Sequence, residues 1–254
     1  MVSVVILGSG NVAQHLIKAF LGAKDVHLVQ AYARHPEKLQ HLLPSQQITG
    51  DITLIAQADV YIISVTDDAI ASLALALPFD GKLVVHTSGS TGMEALGNAN
   101  RKGVFYPLQT FSAAKPVNFK EIPICLETEQ QNDMQLLQTL AYALSEKVYD
   151  ISTAQRQALH VAAVFACNFV NHLYGIGEAV CNENAIPFDI LKPLIQETAD
   201  KINSLSPTAA QTGPAVRNDE KTIQRHLDFI QNERMKQIYT LLTQSIQHTH
   251  EQKL

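Results

Sequence analysis

The opening residues constrain this chain more than any other stretch. Val2-Ser3-Val4-Val5-Ile6-Leu7 is a short, almost continuous β-branched run, the pattern of a strand buried on both faces. Gly8-Ser9-Gly10-Asn11-Val12-Ala13 follows directly, and a helical period then puts Val12, Leu16, Ala19 and Phe20 on one face. A strand that turns through GxGxxA into a helix fits few folds, chiefly the first unit of a doubly wound βαβ sheet that binds a dinucleotide. Gly8 permits the tight turn, Gly10 lets the backbone approach a pyrophosphate, and Ala13 lets the helix pack on the strand. The N–H groups at the helix start, from Ser9 through Asn11 and Val12, then face the phosphates. A ligand-free strand–helix turn fits the same string, so the rest of the chain must discriminate.

Strand-like and helix-like segments alternate up to residue 150. Further strands are expected at Val26–Tyr32, 60–65, 82–86, 103–108 and 122–126, with helices over 68–77 and 132–144. Pro36 stands where another helix begins, with Leu39, Leu42 and Leu43 as its apolar face. From Ser152 strand signals vanish and helical patterns run through 153–181, 188–205, 220–230 and 233–248. Ser152 with Gln155 forms a capping box, and Ile186-Pro187 and Ser206-Pro207 mark breaks. The fold class is therefore α/β: a Rossmann-type, mostly parallel sheet in residues 1–150, then an all-helical domain in 151–254.

Composition narrows the function classes. With 46% hydrophobic and 17% charged residues the 254-residue chain is not a disordered segment. A net charge of -5 provides no basic field for a phosphate backbone, so no nucleic-acid partner is expected. Cys125, Cys167 and Cys181 are too scattered for a disulfide framework or a metal knuckle, and His226, His248 and His250 read as surface. The first apolar run is too short for a signal peptide or a span, so a cytoplasmic protein without membrane contact is expected.

The carboxyl ends of the strands are where an open α/β sheet binds ligands. The second strand ends in Tyr32-Ala33-Arg34-His35, with no carboxylate for a ribose diol; Arg34 suits a 2′-phosphate, which favours NADP over NAD. A solvated loop cation is the plainer reading of Arg34. Val65 and Thr66 end a later strand beside the cofactor, and Asp67 or Asp68 is expected to cap the helix that follows. In His86-Thr87-Ser88-Gly89-Ser90, Thr87 falls beside the cofactor, while Ser88 and Gly89 turn a hydroxyl and backbone N–H groups towards a substrate. The helix from Thr153 is apolar yet carries His160, Cys167, Asn168 and Asn171. On an ideal helix His160 and Asn168 lie about 80° apart. His160 fits a proton donor to a reduced carbonyl and Asn168 a substrate or nicotinamide holder; a buried, structural pair is the alternative. Arg217 either clamps a substrate carboxylate or, with Asp219, forms an ion pair or caps the helix from Glu220.

These residues together resemble the bacterial proteins that join a Rossmann-like domain to a helical domain of unknown function, number 2520. More distantly the chain is similar to pyrroline-5-carboxylate reductases, deazaflavin-dependent NADP reductases and β-hydroxyacid dehydrogenases. The resemblance rests on the GxGxxA, Asp67-Asp68-Ala69-Ile70, His86-Thr87-Ser88-Gly89 and Pro107-Leu108-Gln109-Thr110-Phe111. In the second half it rests on Arg156, on His160 through Phe169, and on Thr212 through Asp219. Tyr106 stands where the family often has His before the proline. The hydroxyacid dehydrogenases carry a Lys and an Asn on the corresponding helix; no Lys occurs between Lys147 and Lys192, which leaves the proton to His160. The resemblance implies a scaffold and a cofactor class more than a reaction; the leading expectation is hydride transfer between NADP(H) and a small carbonyl, imine or hydroxy-acid substrate, in a cleft between the domains. A homodimer built on the apolar C-terminal helices is expected as well. A catalytically silent NADP(H)-binding sensor or scaffold is the alternative, and a module for another nucleotide a third.

Overall fold

The structure, a computed structural model, describes residues 1–251 and forms two compact units, one spanning Met1–Cys167 and one from Asn168 onward. In the first, one sheet holds β1 (Val2–Leu7), β2 (Val26–Tyr32), β3 (Ile48–Thr49), β4 (Val60–Ile63), β5 (Leu83–His86), β6 (Arg101–Pro107), β7 (Ile124–Thr128) and β8 (Val148–Asp150). Their spatial order is β3-β2-β1-β4-β5-β6-β7-β8, parallel throughout except between β6 and β7. The order reverses between β1 and β4, so their connections leave to opposite sides and a crevice opens at their carboxyl ends. Gly8 leaves from one lip and Ser64 from the other, joined by the Ser64 N–H donating to the Leu7 carbonyl at 2.8 Å.

Strand alternation sorts the core into two layers. Val4 and Ile6 of β1 and Ile62 of β4 face Leu16 and Phe20 of α1 (Asn11–Leu21). Val5 and Leu7, with Tyr61 and Ile63, face the other way, onto Ile70 and Ala74 of α2 (Asp67–Leu75). The first layer also takes in Leu137, Leu140 and Leu144 of α3 (Gln131–Leu144). The four β1 residues are fully buried, and each such aliphatic side chain contributes about 1.5–3 kcal/mol. Burial on both faces is why these strands read as continuous apolar runs.

Several sequence expectations change. Only Pro36–Leu39 winds, as one 3-10 turn, because Leu42-Leu43-Pro44 ends the segment and a residue before proline is pushed out of helix. The short edge strands β3 and β8 carry too few residues to show a period. The helix that begins at α4 (Thr153–Ala163) widens to a π-helix over Val164–Phe169 before continuing as α5 (Val170–Glu183). Beyond Val164, angles taken from an ideal α-helix no longer apply, so the 80° between His160 and Asn168 is superseded. The expected capping box is present: the Ser152 side chain accepts from Gln155 N and the Gln155 side chain from Ser152 N.

The second unit continues with α6 (Lys192–Lys201), α7 (Pro207–Ala210), α8 (Glu220–Phe229) and α9 (Glu233–Glu251). The expected helix over 188–205 is a 3-10 turn at Phe188–Leu191 followed by α6, and α7 was not expected. Among the described residues one helical run, Thr153–Glu183, is long and apolar enough by length and composition to cross a membrane. Its first turn carries Arg156, fully buried and paired with the partly exposed Glu127.

Candidate active site

The glycine turn is built as its spacing requires. Gly8 adopts φ +143°, and a Cβ on it would run into the Ser64 carbonyl oxygen. Gly10 caps α1 without a side-chain hydrogen bond, and nothing lies within 4 Å of where its Cβ would stand. The first N–H groups of α1 therefore face a cradle that any side chain on Gly10 would fill. Ala13, fully buried, lets α1 sit close to the sheet. The loop after β6 is tied over this turn: Asn11 Nδ2 donates to the Phe111 carbonyl at 3.1 Å, and His15 Nε2 pairs with the Ser112 carbonyl at 3.0 Å.

A cavity of about 830 Å³ runs along the carboxyl edge of the sheet. It is lined by Gly8, Ser9, Gly10, Asn11 and Val12, by Arg34, His35 and Lys38 after β2, and by Val65, Thr66 and Asp67 after β4. Thr87, Ser88 and Gly89 after β5, and Tyr106, Gln109 and His160, line it as well. Arg34 follows β2 and Gly89 follows β5, three strand spacings apart in the sheet, or about 14 Å. The cations Arg34 and Lys38 thus mark one end and the Tyr106–His160 pair the other.

At the second end the Tyr106 hydroxyl lies 3.1 Å from His160 Nδ1, with the rings edge-on at 66°. A Cβ on Gly89 would come within 2.5 Å of His160 Nδ1 and 2.8 Å of Tyr106 Cζ. Gly89 is therefore the residue that admits both rings. Burial pushes the Tyr106 phenol up to about 12, so it stays protonated at neutral pH. Burial likewise raises the neighbouring Cys125 thiol to about 11, which leaves it unreactive.

The 86–91 turn is internally satisfied. Ser88 Oγ accepts from Ser90 N at 3.2 Å and Thr91 N at 2.9 Å, so this oxygen serves its own turn. His86 is fully buried and its Nδ1 accepts from Ser88 N at 3.2 Å. Burial, then the Arg156 charge, push His86 down to about 4, against the pull of the Gly92 backbone, Asp67 and Glu127. The ring is neutral, and its Nε2 makes no hydrogen bond of good geometry. Asp67 does not cap α2 as expected. Thr66 holds the cap position without a side-chain bond, and Asp67, one residue later, accepts the Ser90 hydroxyl.

Every predicted site residue of the first unit lines the cavity. Asn168 and Arg217 belong to the second unit, where both are exposed. Asp219 takes the capping role, accepting Thr222 N at 3.1 Å at the start of α8.

No curated protein matches the chain. Residues 3–89 match the family model described as NADP oxidoreductase coenzyme F420-dependent, and 122–246 match the domain of unknown function DUF2520. A Bacteroides fragilis crystal structure assigned as an NADP oxidoreductase is 40% identical, covering 97% of this chain and 98% of its own, with TM-score 0.88. The chain belongs to this Rossmann–DUF2520 oxidoreductase family. Two more distant structures share the fold of the family. One is a Thermotoga maritima protein, 18% identical over 98% of this chain and 99% of its own, with TM-score 0.73. The other is the Aspergillus terreus reductive aminase in complex with NADPH and ethyl levulinate, 15% identical over 98% and 94%, with TM-score 0.71.

Within this family member, sequence reasoning missed Tyr106 and Lys38 as cavity residues. Tyr106 follows the core residues Val104 and Phe105 on its strand, and only the pairing of β6 beside β5 reveals that its hydroxyl meets α4. Lys38 lay in a segment read as a longer helix; the actual single turn carries it to the cavity wall beside Arg34.

Proposed function

We propose that this protein is an NADP(H)-dependent oxidoreductase that interconverts a small carbonyl or imine with its alcohol, hydroxy-acid or amine. The observation that carries the reading is the single cavity joining the glycine turn and Arg34–Lys38 to the Tyr106–His160 pair. The residues fit the cofactor: the open cradle at Gly10 suits a pyrophosphate, and Arg34 with Lys38 suits the 2′-phosphate that distinguishes NADP from NAD. When bound, NADPH supplies a hydride to an electrophilic carbon.

The chain itself supplies the proton and the geometry. His160 Nδ1 is engaged by Tyr106, which leaves Nε2 for the substrate. In the reducing direction the imidazolium releases its Nε2 proton to the substrate oxygen or nitrogen, while Nδ1–H stays on the Tyr106 oxygen. In the oxidising direction the neutral ring takes that proton back. The Tyr106 phenol does not itself ionise, since its proton is held up to about 12. Gly89 forms the floor on which His160 rests, with Ser88 beside it in the cavity wall, and Thr87, Val65 and Thr66 line the cofactor side. Asn168 and Arg217 remain proposed substrate contacts on their chemistry alone.

The reading includes a homodimer, supported by the apolar run Thr153–Glu183, whose most apolar stretch is nowhere buried within the chain. A monomer in light scattering at micromolar concentration overturns that part. The enzymatic reading is tested by titrating NADPH, NADP, NADH and NAD against thermal stability, then following reduced-nicotinamide absorbance across a panel of oxo acids, ketones and imines. Stabilisation by NADPH with turnover of at least one panel member is expected. No stabilisation by any dinucleotide overturns it.

A further inference from the structure

The Tyr106–His160 contact does not by itself set how far α4 stands from the 88–91 turn. One helical turn before His160, Arg156 is fully buried and reaches that turn directly. Its Nη1 donates to the Ser88 carbonyl at 2.9 Å and to the Thr91 carbonyl at 2.7 Å. Its Nη2 donates to Glu127 Oε2 at 3.1 Å and to Thr153 Oγ1 at 3.2 Å. The next residue, Gln157, donates Nε2 to the Ser90 carbonyl at 2.8 Å. Glu127 closes the arrangement by accepting the Thr153 N–H at 2.7 Å, which pins the first turn of α4 to the end of β7. The carbonyls of Ser88, Ser90 and Thr91 are thus all held by adjacent side chains of α4. Gly89, the residue between them outside the clamp, is the one that meets His160.

The geometry points to Arg156, with Gln157, as positioning residues that set the separation between the 88–91 turn and His160. Neutralising Glu127 does not require a guanidinium. Holding two carbonyls on one side and a carboxylate on the other does, because only the planar fork presents donors in both directions. Arg156 and His160 are four residues apart on one face of α4, so a displacement of the guanidinium is passed through one rigid turn to the imidazole. A Lys at 156 keeps the charge and loses the fork. The inference rests on the role proposed for His160, and its test reads the Tyr106–His160 contact directly, without turnover.

The test is proton NMR of the hydrogen-bonded proton shared by Tyr106 and His160, identified as the downfield resonance that Tyr106→Phe abolishes, with its exchange against water measured at fixed pH. In Arg156→Lys with native circular dichroism this proton is expected to exchange at least about tenfold faster or to vanish. In Gln157→Ala, where an exposed side chain is trimmed, exchange is expected to quicken by about two- to fivefold. The NADPH dissociation constant of both variants stays within about twofold of the parent, since neither side chain reaches the Arg34 end. A folded Arg156→Lys with unchanged exchange overturns the assignment. If Arg156→Lys does not fold, unchanged exchange in Gln157→Ala overturns it instead. Absence of NADPH binding in the parent defeats the oxidoreductase reading and leaves the exchange result to decide the positioning role.

Discussion

The glycine-turn end of the cavity and its Tyr106–His160 end meet different physical demands with different materials. The first is made mostly of backbone: Gly8 in a conformation closed to other residues, an uncapped helix start at Gly10, and a cation one strand away. Its parts lie close together in the chain, and each residue type announces its task. The second is made of side chains from β6 and α4 that meet over the turn after β5, brought together across more than fifty residues of sequence. Backbone can cradle a phosphate because N–H groups are always available at a helix start, whereas delivering a proton needs a titrating group at one point in space. The comparison predicts that the two ends respond separately to substitution.

The largest separation is expected from His160→Ala. Loss of a general acid lowers turnover by about 10²- to 10⁴-fold, while NADPH affinity measured by fluorescence titration stays unchanged. Equal losses in both measurements would break the division between the ends. The pH dependence of stability sharpens it next. His86 titrates near 6.5 when unfolded but is held down to about 4 in the fold, so between these values the unfolded chain binds more protons. Stability is full above pH 6.5 and falls as pH drops towards 4, by up to about 3 kcal/mol. Urea midpoints across that range should show the slope, and His86→Gln should flatten it.

At the phosphate end, Arg34→Ala is expected to weaken NADPH by about 10- to 100-fold through loss of a charge-assisted contact, with NADH unaffected. Combining it with Lys38→Ala should bring NADPH and NADH affinities together; equal weakening of both cofactors by Arg34→Ala alone would contradict the 2′-phosphate role. The smallest effect belongs to Ser152→Ala at the start of the helix that carries His160. Removing the capping-box hydroxyl costs about 1 kcal/mol of stability. It should appear as a lower melting temperature with NADPH affinity intact.

Legibility in the sequence follows the same division. The first two strands matched their expected extents because double burial leaves a continuous apolar run and the glycines punctuate it. Arg34 was readable because it follows β2 at the spacing the glycine turn demands. Tyr106 was singled out only as standing where the family often has His; its contact was not legible, since an aromatic inside a strand looks like core until its hydroxyl is seen at His160. Arg156 was noticed for the family it resembles, not for its bonds, which reach carbonyls that carry no side-chain signature. Asp67 was misread as a cap because Asp at a helix start usually is one; here the Ser90 hydroxyl competes for it.

From sequence alone came the α/β class, the glycine turn at Gly8–Ala13, the Arg34 cation and the change to helix at Ser152, all set by local spacing and by burial on one or two faces. The tertiary structure decided which distant residues meet: β6 beside β5 carries Tyr106 to the cavity and to His160, and Arg156 reaches the carbonyls of Ser88 and Thr91. Periodicity records which face of a strand or helix is buried. It carries no record of what that face touches, and the Tyr106–His160 end of this cavity consists of such contacts.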